Sequence, residues 1–248
     1  MKISPMPMSY RIDFEGSSEI GAYMSLTNTY CVIGRSQSNN VLKFLQENVA
    51  IPIVETTINS IRSVGSQCRG NRHGLLVPHT ITDQEIMHIR NSLPEDVVVR
   101  RIEERLNALG NVILCNDHIA IIHGDLDKES EDLIRDVLQV HVYRQNIGQE
   151  PLVGTFGALN NQGMLVHPFT STECQKELSE LLEVNVVAGT INGGSQCVGG
   201  GVVANDWMCI AGIKTTNVEM AVIEGVFDLT GDQDLEARRR AIVDAIVR

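Results

Sequence analysis

Apolar and polar positions follow one another in the same order five times along this chain. Each round has a short apolar run, an Asn, a second apolar run, a polar break and then apolar residues at helical spacing. The five Asn markers lie 43, 45, 45 and 44 residues apart, at Asn28, Asn71, Asn116, Asn161 and Asn205. Self-similarity at a period of roughly 20–50 residues is typical of solenoids and propellers. The pattern therefore predicts five copies of one module.

The Asn markers are interpreted as turn formers and nothing more. Each stands between two apolar runs that predict strands. Asn tolerates a positive φ better than most residues, and tight hairpin turns require one. We therefore expect a hairpin at each marker.

Helix starts lie eleven residues beyond the markers. All five positions hold residues whose side-chain oxygen suits a helix N-cap: Asn39, Thr82, Asp127, Thr172 and Thr216. Three continue as capping boxes: Thr82 with Glu85, Thr172 with Gln175, and Thr216 with Glu219. Helical apolar spacing follows each start, for example Leu42, Leu45 and Val49, or Val218, Val222 and Val226. The pattern predicts one amphipathic helix in every module.

A β-rich run follows four of the five helices, over residues 51–58, 97–102, 140–147 and 184–191. The fifth module has no such run beyond Phe227. Residues 10–16 instead form a strand-like segment before the first marker. We therefore predict that this N-terminal strand completes the fifth module and closes a ring.

Modules of this kind cannot bury their apolar faces alone. An open solenoid would need polar capping repeats, and none of the five resembles one. The sequence therefore predicts the α/β class: one closed five-bladed α/β propeller over residues 10–229, with five-fold pseudo-symmetry, helices outside and strands around the axis. Residues 230–248 are predicted to be a helical or mobile tail, with a partner-binding helix as the alternative.

Composition narrows the class of protein. The chain has 248 residues, 43% of them apolar, with no apolar run long enough to span a bilayer and no signal-peptide pattern, so we expect a soluble intracellular protein. The six cysteines form no C-x-x-C motif and are predicted to be free thiols. The net charge of −11 weighs against broad nucleic-acid binding and favours basic protein partners. A local basic patch over residues 68–74 remains an open possibility.

Candidate catalytic groups are few. Cys197 and Cys209, with His167, form the best set for nucleophilic catalysis, although Cys209 lies at a core-like strand position. The sequence contains no paired His motif, no phosphate-binding loop and no dinucleotide fingerprint. We therefore predict no metal, no cofactor and no catalytic centre, which favours a binding protein over an enzyme.

Longer motifs carry a specific resemblance. They are "LTNTYC" from Leu26, "GNRHGLLVP" from Gly70, "TDQEIMHIRNSLP" from Thr82, "RRIEERLNALGNV" from Arg100, "NQGMLVHP" from Asn161 and "NDW" from Asn205. Over residues 12–229 the chain resembles eukaryotic translation initiation factor six and its archaeal relatives. The resemblance implies the pentein type of five-fold α/β propeller.

The resemblance also implies an anti-association factor. Such a protein binds the intersubunit face of the large ribosomal subunit, blocks joining of the small subunit, and accompanies large-subunit maturation and export. The implied contacts are an L14-type ribosomal protein near the sarcin–ricin loop, with release by an elongation-factor-like GTPase and its partner protein. The implied protein is a monomer in the cytoplasm, nucleus and nucleolus, with no membrane contact and no catalysis.

The links between modules are expected on one rim, at residues 16–17, 59–60, 110–111, 149–150 and 192–194, with the next strand starts beside them. We predict that this rim binds the ribosome, through Gly65, Ser66, Gly110, Asn111, Asn192, Gly193, Gln196 and Val198. The alternative, that these are ordinary exposed turns, stays open.

Two rival functions also stay open. The first is a guanidine-modifying enzyme, since such enzymes share the pentein propeller and use a Cys/His/carboxylate centre at its axis. The second is a scaffold that binds several partners through its C-terminal helix. Two segments depart from the family pattern: residues 1–9 extend beyond its usual start, and the tail beyond Thr230 contains no Ser or Thr.

Overall fold

Five three-stranded sheets build the fold. The computed structural model of the chain describes residues 8–49 and 51–229. In each sheet the central strand pairs antiparallel with one neighbour and parallel with the other. The strands are β1 Met8–Ile12, β2 Met24–Leu26, β3 Cys31–Gly34, β4 Ile53–Thr56, β5 Arg69–Gly70, β6 Gly74–Pro78, β7 Val98–Ile102, β8 Ile113–Cys115, β9 Ile119–Ile122, β10 His141–Arg144, β11 Gly157–Leu159, β12 Gly163–Val166, β13 Asn185–Ala188, β14 Val202–Ala204 and β15 Met208–Gly212.

A long helix joins the two parallel strands in each of the first four blades, and a fifth follows β15. The long helices are α2 Asn40–Asn48, α4 Asp83–Ser92, α6 Lys128–Leu138, α8 Thr172–Leu182 and α10 Asn217–Val226. A one-turn helix stands before each hairpin. These short helices are α1 Ile20–Tyr23, α3 Val64–Gln67, α5 Leu109–Val112, α7 Val153–Phe156 and α9 Val198–Gly201. The apolar faces of helices and sheets pack into continuous buried clusters. No helix in the described ranges is long and apolar enough to cross a bilayer.

The N-terminal strand closes the ring. Strand β1 lies parallel to β15, with Met8 opposite Met208 and Ile12 opposite Gly212. The last blade is therefore built from both ends of the described chain, in the order β1-β15-β14. The predicted closed five-bladed α/β propeller and its closing strand are confirmed. Within the described residues this strand covers residues 8–12, whereas the prediction covered residues 10–16. The predicted tail, residues 230–248, lies outside the described residues.

The helix starts follow the prediction in four modules of five. Thr82 and Thr216 each form the predicted capping box with Glu85 and Glu219. Asn39 and Asp127 stand at the predicted N-cap positions, but their side chains make no capping hydrogen bond. The box at Thr172 is wrong. Ser171 caps α8 by accepting from the Cys174 N–H. Two adjacent residues suit the cap, and the first of them takes that position, so that the helix begins at Thr172.

The predicted apolar face of α10 is also wrong in part. Met220, Ile223 and Val226 are buried, whereas Val218 is 76% and Val222 38% exposed. This helix carries apolar residues on most of its circumference, so spacing alone could not select the face that packs inward.

The Asn markers do more than form turns. None of them has a positive φ. Instead, Asn71 accepts hydrogen bonds through Oδ1 from the N–H groups of His73 and Gly74, at 3.0 and 3.3 Å, and its equivalents do the same. The residues in phase with it form what we call the Asn ring: Thr27, Asn71, Asn116, Asn160 and Asn205. Two predicted markers, Asn28 and Asn161, are therefore one residue out of phase.

Side-chain amides of the Asn ring connect neighbouring blades. Four Nδ2 donations to main-chain carbonyls run round the axis: Asn71 to Asn116 at 3.0 Å, Asn116 to Asn160 at 3.3 Å, Asn160 to Asn205 at 3.1 Å and Asn205 to Thr27 at 3.0 Å. Thr27 has no amide to donate. At that junction the buried Tyr30 hydroxyl donates to the Gly74 carbonyl at 2.8 Å. The interpretation of these residues as turn formers alone is wrong.

A second polar cluster closes the same end of the axis. The Nδ2 atoms of Asn28 and Asn161 each donate to Oδ2 of both Asp117 and Asp206, at 2.6–2.9 Å. The Oδ1 atoms of the two Asn residues accept main-chain N–H groups, which fixes the orientation of both amides. The two carboxylates are thus held by amide donors.

The structure gives little support to a local basic patch over residues 68–74, which the sequence left open. Cys68 is buried, and Arg72 forms an ion pair with Asp117 at 2.9 Å. Arg69 lines an internal cavity on the axis. Of the two arginines in this segment, Arg69 therefore faces the cavity, and the exposed Arg72 is paired with an acidic side chain.

Candidate partner-binding face

Tight turns form the end of the axis opposite the Asn ring. Four of them close with a pair of main-chain hydrogen bonds across residues 14–17, 58–61, 147–150 and 191–195. In the first two, both central residues have positive φ, with 51° and 85° at Glu15 and Gly16, and 52° and 65° at Asn59 and Ser60. This is the pattern of a type I′ turn. The third strand of each of these blades therefore reverses here and leads into a one-turn helix.

Five glycines let the one-turn helices meet around the axis. A Cβ on any of them would lie 1.9–2.1 Å from the carbonyl oxygen of the equivalent glycine in the preceding blade. The contacts run in an unbroken circle, from Gly199 to Gly154, Gly110, Gly65, Gly21 and back to Gly199. We call these residues the glycine ring, and this end of the propeller the ring face. The predicted strand starts at this rim are short helices.

The predicted ribosome-binding residues near the glycine ring differ in how far they are buried. Gly65, Gly110 and Val198 are buried. They support the ring face from inside, so a partner would contact the residues next to them and not these residues themselves. Ser66 and Asn111 directly follow two ring glycines and are half-buried. Residues 110–111 are part of the helix α5, so the predicted link there is wrong. Ribosome binding by any of these residues stays a prediction.

The remaining predicted residues lie in one loop of the last blade. Asn192 has a φ of 55° and donates through Nδ2 to the Ser18 carbonyl at 2.8 Å, which ties this loop to the first blade. Gly193 and Gln196 are exposed. The structure therefore brings this loop, Ser66 and Asn111 to the same face, around the same axis.

Glu219 holds this loop and the start of α10 together. Its carboxylate accepts from the N–H groups of Thr216, Gly193 and Gly194 at 2.8–3.0 Å, and from the Thr190 hydroxyl at 2.8 Å. Burial by itself would raise the pKa of Glu219, but these hydrogen bonds outweigh it and hold the pKa at about 2. Glu85 plays the same part at Asn59 and Ser60, also with a pKa of about 2. One carboxylate thus fixes both a helix start and a rim turn.

We expect Glu219→Gln to lower the free energy of unfolding by about 1–2 kcal/mol at pH 7. The folded-state pKa lies below the usual 4.5. The stabilisation is therefore complete above about pH 4.5 and is lost as the pH falls towards 2. Urea denaturation at pH 7 and at pH 3 should show the difference between wild type and variant shrinking at the lower pH. The exposed Glu180 in α8 supplies the control Glu180→Gln. An equal difference at both pH values would contradict this account.

The candidate thiols for nucleophilic catalysis have raised rather than lowered pKa values. Burial raises the pKa of the Cys197 thiol, and the Glu19 and Glu150 carboxylates raise it further, whereas a nucleophilic cysteine needs a lowered pKa. The His167 Nε2 lies 3.3 Å from Oε1 of Gln196. Cys209 is buried, and its pKa is raised to about 12. These residues therefore give no support to the enzyme alternative.

Sequence patterns missed the exposed apolar residues of this face. Phe169 is 77% exposed in the loop between β12 and α8, and its ring packs edge-on against His167, which in turn packs against Phe156. Ile61 and Ile213 are exposed in loops at the same end. One pattern in the sequence could have revealed them: an apolar residue inside a polar loop between a strand and a helix, such as Phe169 in "HPFTS". Exposed aromatic side chains are typical of protein interfaces.

Comparisons with known proteins agree on one family. A family model described as the eIF-6 family matches residues 9–226. The curated protein "Eukaryotic translation initiation factor 6" of Dictyostelium discoideum is 49% identical over 244 residues, covering 96% of this chain and 100% of the relative. The protein of the same name from Saccharomyces cerevisiae is 52% identical over 228 residues, covering 91% and 93%. "Eukaryotic translation initiation factor 6-2" of Arabidopsis thaliana is 48% identical, covering 97% and 100%.

Solved structures with a similar fold are more distant in sequence. The N-terminal domain of ArgZ, an arginine dihydrolase, is 16% identical with a TM-score of 0.45, over 68% of this chain and 66% of that one. A dimethylarginine dimethylaminohydrolase is 13% identical with a TM-score of 0.44, over 68% of each chain.

Proposed function

This chain belongs to the eIF-6 family, and on that premise we propose that it is a translation initiation factor that acts by keeping ribosomal subunits apart. In this proposal it binds the intersubunit face of the large, 60S subunit and sterically blocks joining of the small subunit. The observation that carries the proposal is the family match over residues 9–226. That range runs from β1 to the end of α10 and so includes all five blades.

The ring face supports the proposal as the surface that meets the subunit. Ser66 and Asn111 lie beside the axis, and their side chains make no hydrogen bond within residues 8–49 and 51–229. Their polar groups are therefore available to a partner. Small residues beside the glycine ring also allow another main chain to come close. We propose that this face contacts an L14-type ribosomal protein near the sarcin–ricin loop.

The net charge supports a protein contact rather than extensive contact with rRNA. The chain carries 31 acidic and 20 basic side chains. A negative surface is attracted to a basic ribosomal protein and repelled by phosphate groups. In this proposal the protein acts by occupying a surface and not by catalysis, and it does so as a monomer without a cofactor.

We further propose that the protein takes part in large-subunit maturation and export. An elongation-factor-like GTPase and its partner protein would release it, and it would reside in the cytoplasm, nucleus and nucleolus.

Sedimentation tests the proposal. The full chain, mixed with purified ribosomal subunits, should co-migrate with the large subunit in a sucrose gradient and not with the small one. Added small subunits should then form fewer complete ribosomes. Equal migration with both subunits, or with neither, would reject the proposed function.

A bulky change at Asn111 should weaken this binding. We expect Asn111→Trp to lower the affinity for the large subunit at least about tenfold, because an indole beside the glycine ring would hold a partner away from the ring face. Glu180→Trp, on the exposed side of α8, is the matched control and should bind as wild type does. Quantitative pelleting assays measure both variants. Unaltered binding by Asn111→Trp would show that the subunit meets another face.

A further inference from the structure

We propose that the axial cavity binds a small monovalent anion of chloride size at the guanidinium of Arg69. The cavity lies between the glycine ring and the Asn ring and has a volume of about 40 Å³, which is room for one small ion or water molecule. Its walls come from residues next to both rings, including Gly21 and Gly199 at one end and Gly70 and Leu159 at the other.

Arg69 brings unsatisfied hydrogen-bond donors to this cavity. A guanidinium has five N–H groups. Nη2 donates to the Gly110 carbonyl at 2.5 Å. The Nε atom is fully buried and has no partner within the described part of the chain. The Nε–H group therefore needs an acceptor that the described part of the chain does not provide.

Arg69 also lacks a counter-charge. None of the ion pairs in residues 8–49 and 51–229 includes it. The groups that interact with its charge are the Cys68 and Cys115 thiols. Burial raises the pKa of both thiols to about 12, so at neutral pH they are uncharged. Burial lowers the pKa of the Arg69 guanidinium, but a guanidinium stays protonated in proteins.

Arg69 is half-buried, since it lines the cavity, and its Nε atom is fully buried. A charge withdrawn from bulk water without a partner is costly, and such charges are almost always paired. Water molecules would satisfy the N–H groups but would leave the charge uncompensated. A single monovalent anion satisfies both needs. A divalent anion would introduce a second charge, for which the cavity offers no second cation among its lining residues.

Thermal unfolding tests this site. A ligand that binds only the folded state raises the unfolding midpoint with its concentration. For wild type we expect a rise of about 3–5 °C per tenfold increase in sodium chloride above the dissociation constant, relative to sodium gluconate at equal ionic strength. Arg69→Met removes the charge at similar length and should abolish the difference between the two salts. Arg105→Met, at an exposed arginine, should retain it.

Two results would overturn the proposal: equal midpoints for wild type in chloride and gluconate, or an Arg69→Met variant that keeps the chloride effect. A second measurement needs no variant. Crystals of the wild-type protein soaked in sodium bromide should show an anomalous peak within hydrogen-bonding distance of Arg69 Nε. Water alone at that position would reject the anion site.

Discussion

Gly110→Ala is expected to destabilise the fold by about 3 kcal/mol or more, or to prevent folding. A methyl group at this position would lie 1.9 Å from the Gly65 carbonyl oxygen and 2.9 Å from two main-chain carbon atoms of Gly65 and Ser66. All three neighbours are main-chain atoms in an adjoining short helix, so no side-chain rotation can relieve the overlap. Separation of the two helices would also open the contacts on either side of them in the ring. Equilibrium denaturation in urea measures the loss.

Gly225→Ala is the matched control. Gly225 lies in α10, and no heavy atom lies within 4 Å of its ideal Cβ position. Alanine has the higher helix propensity, so this variant should be unchanged or more stable by up to about 1 kcal/mol. If Gly110→Ala proved as stable as Gly225→Ala, the glycine ring would not be a steric requirement of the fold.

Asn116→Ala should cost about 3–4 kcal/mol. Asn116 is buried. Its Oδ1 accepts from the N–H groups of His118 and Ile119 at 2.9 and 2.8 Å, and its Nδ2 donates to the Asn160 carbonyl at 3.3 Å. Truncation leaves two part-buried donors and one buried acceptor without this partner, and a buried group left unpaired costs about 1–3 kcal/mol. The loss would be read from the midpoint and slope of chemical denaturation.

Asn91→Ala supplies the comparison for this variant. Asn91 is exposed in α4, where substitution should change stability by no more than about 0.5 kcal/mol. Replacing an Asn that only formed a local turn would cost less stability than replacing a buried Asn that links two blades. A cost below about 1 kcal/mol for Asn116→Ala would therefore restore the simpler view of these residues.

The repeat made most of the architecture predictable. Helix N-caps such as Thr82 and Thr216 depend on residues three positions away, and strands depend on local composition, so both are visible in sequence. The closing strand was also predictable, because one module lacked its last strand and the N-terminus supplied a spare one. The exact repeat position in the first and fourth modules was harder to assign. Asn28 and Asn161 stand beside Thr27 and Asn160, and only the hydrogen bonds distinguish each neighbouring pair.

The ring face was less predictable, for a physical reason. Gly110 must be glycine because a carbonyl oxygen from Gly65, in the previous module, occupies the space of a Cβ. No local pattern records such a contact. The one-turn helices have four residues each, too few to show a helical period. Patterns in sequence indicated loops at this rim, and so did not separate buried Val198 from exposed Gln196.

Pairing of β1 with β15 has a consequence for synthesis. Met8 meets Met208, so β1, the first strand of the described residues, has no partner in its sheet until β15 has been made some 200 residues later. During translation four blades can assemble from residues already present, while the fifth waits for its hairpin. Contacts between distant parts of a chain form slowly, and an unpaired strand edge favours association with other chains. We therefore expect the nascent protein to pass through an open, four-bladed stage with unpaired strand edges.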